Sequence, residues 1–170
     1  MFKRLRTAVV LAALAVSLYQ FNTGITAVNR VKLDGQTMLL QLRPVDPRAL
    51  MLGDYMTLGY DSAAFPKSSK GLPAQGTVIL KLDDNNVGTF ARRDDSAALA
   101  DGEVRVKYAL KRGEANFGSA RFYFQEGTAK TYEVARYGVF KVSNAGHMIL
   151  VDMAGEDFKI LVPDTNTAAK

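Results

Sequence analysis

From Thr37 onward the chain is a succession of short β-forming runs, each closed off by turn residues, and no other feature restricts its fold as strongly. The sequence predicts strands over Thr37–Arg43, Tyr55–Tyr60, Thr77–Leu82, Val87–Arg92, Glu103–Lys111 and Ala120–Gln125. Further strands are predicted over Tyr137–Val142, His147–Met153 and Phe158–Val162. Alternation is clearest where Val104, Val106 and Tyr108 interleave with Arg105 and Lys107, apolar on one face and charged on the other. The connectors Asp83–Asn86, Arg112–Asn116, Ser143–Gly146 and Ala154–Asp157 have turn chemistry, and several are short enough for antiparallel hairpins. One stretch breaks the rhythm. Between Gly127 and Gly138, Thr128 is a candidate N-cap and Gly138 a stop, which predicts one helix of roughly two to three turns. Ala129, Tyr132, Val134 and Ala135 would form its apolar face. The long breaker-rich segment Asp61–Gly76 reads as a mobile edge or a binding loop. Many short strands with one helix must close or stack to hide their edges. The expected fold is therefore mainly β (α+β), an antiparallel barrel-like or sandwich domain with one short helix.

The N-terminus has a different character. Lys3, Arg4 and Arg6 form a basic head, followed by an apolar run from Ala8 to Tyr19. This order suits a transmembrane or signal-anchor helix that keeps the basic head in the cytoplasm and sends the body across the membrane. Ala8–Phe21 alone falls short of the roughly 20 residues that span a hydrocarbon core, and continuing through Val28 reaches that length. Small residues at Ala15-Val16-Ser17 or Ile25-Thr26-Ala27 offer signal-peptide cleavage sites, the first after a minimal apolar run, the second a poorer match. The lengths favour an uncleaved anchor over residues 1–27, a periplasmic β-rich domain over 28–162 and a tail over 163–170. The expected topology is a single membrane crossing.

Composition excludes several classes of chemistry. The chain has no cysteine, so disulfides, thiolate metal sites and a cysteine nucleophile are ruled out. His147 is the only histidine, which rules out a multi-histidine metal site within one chain. Asp83–Asn86 lacks the ligand spacing of a calcium loop. No metal and no cofactor are expected. The net charge of +5 is concentrated at the N-terminus: without Lys3, Arg4 and Arg6, 19 basic residues face 17 acidic ones. No basic stripe with interleaved aromatics remains, so no nucleic-acid partner is expected. Arg92-Arg93-Asp94-Asp95 reads as a self-neutralising run on a solvated face.

The densest stretch is Pro44–Tyr60, PVDPRALMLGDYMTLGY. Its two prolines remove backbone donors, and Asp46 has the chemistry to open a tight turn. Pro47–Met51 then fits one helical turn, which Gly53 would end. In the strand that follows, Met56, Leu58 and Tyr60 share one face, and Tyr55, Thr57 and Gly59 the other. Arg48, Asp54, Tyr55 and Tyr60 could form a polar cluster at the strand's mouth. Alternatively, Arg48 and Asp54 clamp a stiff corner while the tyrosines pack on their ring faces. The corner accounts for every residue without a substrate.

Gly53-Asp54-Tyr55-Met56-Thr57-Leu58-Gly59-Tyr60 resembles, without a mismatch, the signature of the GDYXXLXY family. Pro44–Arg48 is similar to that family's lead-in, and Arg121–Val142 to its second block, an aromatic strand ending in Glu-Gly before a short helix. The resemblance implies a bacterial membrane-anchored protein, often encoded beside multi-spanning membrane proteins. It supplies no catalytic residue. Asp46, Arg48, Gly53, Asp54, Tyr55, Leu58 and Tyr60 thus become candidates for fold or interface, and Glu126 is a further position that a partner could reach. The expected function is a non-enzymatic accessory or binding module, attached to the membrane and serving a multi-spanning membrane-protein partner. The alternative is a serine–lysine hydrolase with a signal-peptidase-like β-domain, which needs a serine activated by a desolvated lysine. Ser68, Ser69 and Lys70 lie together, but in a loop poorly suited to burying a lysine, and no Ser-Met nucleophile box is present.

Overall fold

Helix α1, Phe2–Asp34, runs for 33 residues, about 50 Å at the rise of an α-helix. It belongs to a computed structural model that describes residues 2–43, 55–66, 71–111 and 114–163. Within α1 the stretch Val9–Asp34 is long and apolar enough to cross a membrane, and no residue of its apolar window is buried by the rest of the chain. Val10, Leu14, Leu18 and Phe21 are all exposed. The helix ends at Gly35, whose N–H donates to the Val31 carbonyl at 3.0 Å. Strand β1, Gln36–Gln41, starts at the next residue, so no linker separates helix from body.

The body is three antiparallel sheets. In the first, β8 (Tyr137–Val142) lies between β1 and β9 (Met148–Ala154). Met38 faces Phe140 across one pair, and Phe140 faces Leu150 across the other. The register then steps to Val139↔Asp152, leaving Val151 as the extra residue of a bulge in β9. The second sheet has the order β4-β3-β5-β6, from β3 (Gln75–Leu82), β4 (Gly88–Arg93), β5 (Glu103–Lys111) and β6 (Glu114–Asn116). The third is the pair β2 (Tyr55–Thr57) and β7 (Arg121–Tyr123). The sheets do not close into a barrel. They stack as a sandwich, with Met38, Leu40, Phe140 and Val142 of the first meeting Val78, Leu80, Val104 and Val106 of the second in one core. Each such side chain contributes about 1.5–3 kcal/mol when fully removed from water.

The predicted alternation is present: Val104, Val106 and Tyr108 are buried while Lys107 is exposed. The β3–β4 turn forms because Asp83 Oδ1 accepts from Asn85 N–H at 2.9 Å and Val87 N–H at 2.8 Å. Four expectations are corrected. The predicted turn at Arg112–Asn116 contains strand β6, imposed by pairing of Lys111 with Glu114. The predicted helix is a single turn, α2 (Ala129–Tyr132). Thr128 does occupy the N-cap position, but its hydroxyl makes no capping bond and donates back to the Gln125 carbonyl at 2.6 Å, and the Arg136 N–H is drawn off to the Ala154 carbonyl. Phe158–Val162 reduces to one bridge at Ile160, since Phe158 has φ +62°, which no strand accommodates. The start of the Asp61–Gly76 segment is no mobile edge. Ser62–Ala64 forms a 3₁₀ turn that inserts Phe65 edge-on against Tyr108 and Phe117, with ring centroids 5.0 and 5.8 Å away.

Arg92–Asp95 is also more than a solvated run. Arg92 grips Glu103 through two hydrogen bonds of 3.2 and 2.9 Å and pairs with Asp95, while Arg105 donates to Asp94 at 2.9 Å. β4 and β5 both flank β3, so these pairs reach across Ile79. The Arg92 hydrogen bond holds Glu103 below the usual carboxylate range, and the Ala97 N–H holds Asp95 below it. A depressed carboxylate stabilises the fold above its unfolded pKa and loses that effect as pH falls through its folded pKa. Arg92→Met should therefore lower the melting temperature at pH 7, and the gap to the unmodified chain should narrow at pH 3. Thermal melts at the two pH values measure this.

Candidate functional site

Asp46, Arg48, Gly53 and Asp54 lie outside the described residues, as do Ser68, Ser69 and Lys70, the predicted turn at Pro47–Met51 and the end of the tail. Tyr55, Leu58, Tyr60 and Glu126 are described, and the strand alternation separates them. Met56, Leu58 and Tyr60 turn into the core, each less than a tenth exposed, as the sequence pattern predicts. Tyr55 turns the other way.

Tyr60 is the most constrained of the four. Its ring meets Phe117 edge-on at 6.0 Å and Phe140 at 5.9 Å, and its hydroxyl donates to the Ser119 carbonyl. Its backbone continues the linkage between sheets: Leu42 bridges to Tyr60, Asp61 N–H donates to the Gln41 carbonyl, and Arg43 N–H to the Gly59 carbonyl. Arg43 also donates a side-chain N–H to the Tyr60 carbonyl at 3.4 Å. Burial pushes the phenol's pKa well above its ordinary value, so Tyr60 holds its proton and acts as a donor, not as a base. Leu58 N–H donates to the Ala120 carbonyl at 2.9 Å, which extends the β2–β7 pairing. The end of the motif thus fastens β1 and the 117–120 segment to one another. A small cleft of about 160 Å³ beside it is walled by Arg43, Leu58, Gly59 and Tyr60.

On the outer face, Tyr55 packs against Tyr123 at 5.6 Å, and the Arg121 guanidinium sits over the Tyr55 ring at 5.0 Å. Tyr123 is two-thirds exposed. Glu126 stands exposed on the turn before α2, three residues beyond the Tyr55–Tyr123 pair. The described candidates therefore form no polar cluster. Leu58 and Tyr60 are a structural clasp, and Tyr55 belongs to an exposed aromatic–arginine surface.

These features follow the signature of one family, whose model (GDYXXLXY protein) matches residues 18–153. The chain belongs to the GDYXXLXY family. The match spans the second half of α1, the motif and every strand up to β9, so the GDYXXLXY pattern describes N-terminal helix and body together. No curated protein and no solved structure matches the chain.

Sequence reasoning missed the surface next to the motif. Two open grooves meet at Gly118 and Met148. The larger, about 610 Å³, runs past Gln75, Thr77, Asn116 and the pair Lys107 and His147, whose Nζ and Nε2 stand 2.9 Å apart. The smaller, about 500 Å³, lies between β7 and β9. His147 stands immediately before β9, one residue short of the strand start that its sequence position predicts. Only the fold brings Lys107, Arg121 and His147 to one side of the molecule. Among the described residues, no group of three or more His, Cys, Asp or Glu is placed to hold a metal ion.

Proposed function

We propose that the protein is a single-pass inner-membrane protein of the bacterial envelope whose periplasmic body is a non-enzymatic accessory module for a membrane-protein partner. The observation that carries this reading is α1: a 33-residue helix with a membrane-length apolar stretch that the body does not bury, entering β1 without a linker. A helix exposed on all sides and apolar over such a length is stable in lipid and unstable in water. The basic head Lys3, Arg4 and Arg6 favours the orientation with the body outside the cytoplasm. The motif's role as a clasp, with Tyr60 a bound donor, supports binding over catalysis.

The absence of cysteine makes the orientation directly measurable. With Thr7→Cys and Asn144→Cys as separate single-cysteine chains, a membrane-impermeant maleimide applied to spheroplasts should label Asn144→Cys and leave Thr7→Cys unlabelled until the membrane is permeabilised. The reverse pattern sinks the periplasmic assignment. Partner binding is tested by proximity labelling from the body in the native membrane. Recovery of a multi-spanning membrane protein is the expected result, and labelling no stronger than that of an unrelated anchored domain refutes the module.

A further inference from the structure

We propose that the groove between β7 and β9 receives an extended acidic segment of a partner polypeptide, which joins the first sheet as a strand beside β9. This rests on the reading of the body as a binding module and names the surface and the ligand chemistry.

Strand β9 is the end strand of its sheet. Its hairpin sets which backbone groups point outward. Ser143 N–H donates to the His147 carbonyl at 2.8 Å, so by antiparallel alternation Lys141↔Ile149 is the next bonded pair. Met148 and Leu150 therefore direct their N–H and C=O groups away from β8, towards the groove. The Met148–Val151 stretch, Met-Ile-Leu-Val, contains no charge and no proline, the usual protections of a free edge. Farther along, β9 is covered, because the Met153 carbonyl accepts from Leu161 N–H at 2.9 Å. The opening thus ends where the β9 bulge begins, and about four extended residues, roughly 13 Å, match its length.

The opposite wall selects β9 as the strand that pairs. By the same alternation, Arg121 in β7 points its N–H and C=O away from β2, but Ser119 Oγ already accepts from that N–H at 3.2 Å and donates to that C=O at 2.5 Å. The hydroxyl occupies the place of a strand partner on β7. Gly118, at φ +70°, brings the main chain close to the Met148 carbonyl where the two grooves meet.

Charge defines the occupant. Arg121 lines this groove and Lys107 and His147 the adjoining one, while among the described residues no Asp or Glu lines either. Asp152, the next acid along β9, is outside both linings. The exposed ring of Tyr123 offers an apolar platform at the mouth. A segment alternating acidic and apolar residues satisfies the β9 backbone groups, the apolar wall and the cationic rim together.

The test uses the full chain in phosphatidylcholine nanodiscs, free of anionic lipid, panned against a random twelve-residue peptide library. Enrichment of peptides that alternate Asp or Glu with apolar residues is expected, with affinity falling at least tenfold in Lys107→Glu/Arg121→Glu. If that double variant melts early, Arg121→Gln, at an exposed side chain, should still weaken binding several-fold. Enrichment no greater than on empty nanodiscs, selection of basic peptides, or unchanged affinity in folded variants overturns the slot. Proximity labelling separates the two ideas: a partner still recovered by the charge-reversed chain overturns the slot alone, and no partner with either chain overturns the module as well.

Discussion

Replacing Tyr60 by alanine should destabilise the body by about 3–5 kcal/mol, the range for removing a large aromatic from a packed core. The residue is nearly fully buried, with Phe117 and Phe140 against its ring. Tyr60→Phe keeps the ring and removes only the hydroxyl that donates to the Ser119 carbonyl. It should cost about 1–2 kcal/mol, the low end for an orphaned acceptor, because the adjoining cleft is open to water. Urea titrations of the two variants measure both losses. The pH dependence adds a test specific to the phenol. Its folded pKa is raised above the ordinary value of 10.0 by burial, so above about pH 10 the unfolded chain releases this proton and the folded chain retains it. Stability should decline as pH rises from there, and Tyr60→Phe should show a shallower decline. Parallel slopes in the two proteins would mean that the phenol is not buried as described.

Gly35→Ala should have the second large effect, for a geometric reason. A Cβ at this position would lie 2.3 Å from the Val31 carbonyl oxygen and 3.1 Å from the backbone nitrogen and oxygen of Val142. All three obstacles are main chain, so no rotamer change relieves them, and either the last turn of α1 or the β1–β8 pairing must give way. The expected cost is about 1–3 kcal/mol, as for other forced overpacking. In a chain of this size that lowers the melting temperature by roughly 3–10 °C. Thermal melts of the full chain in detergent, followed by near-ultraviolet circular dichroism of the tyrosines, report it. Gly24→Ala, in the same helix with open space around it, should melt as the unmodified chain does.

What was legible in the sequence is what depends on neighbours a few residues away. The burial of Val104, Val106 and Tyr108, and of Met56, Leu58 and Tyr60, follows from a two-residue period that needs no knowledge of the partner strand. The family signature was equally local. Strand β6 was not legible, because Glu114-Ala115-Asn116 has no β-forming character and is held in place by the far end of β5. The Arg92–Glu103 and Arg105–Asp94 pairs depend on β4 and β5 sharing β3 as neighbour. Helix α2 stops early because Arg136 has a hydrogen-bond partner on β9. Of the candidate site, the inward clasp of Leu58 and Tyr60 was readable from alternation, whereas the Tyr55–Arg121–Tyr123 surface required the β2–β7 register.

The junction at Gly35 also governs how the body is carried. In the proposed placement the hydrocarbon core takes up Ala8–Val28, and the rest of α1 on the body's side, Asn29–Asp34, forms a rigid stem on the order of 10 Å. With no slack between stem and sandwich, turning α1 about its own axis sweeps the β7–β9 groove around the same axis by the same angle. Whatever grips the helix within the bilayer therefore sets the compass bearing of the groove outside it. A domain on a loose leash would sample every direction; this one is aimed.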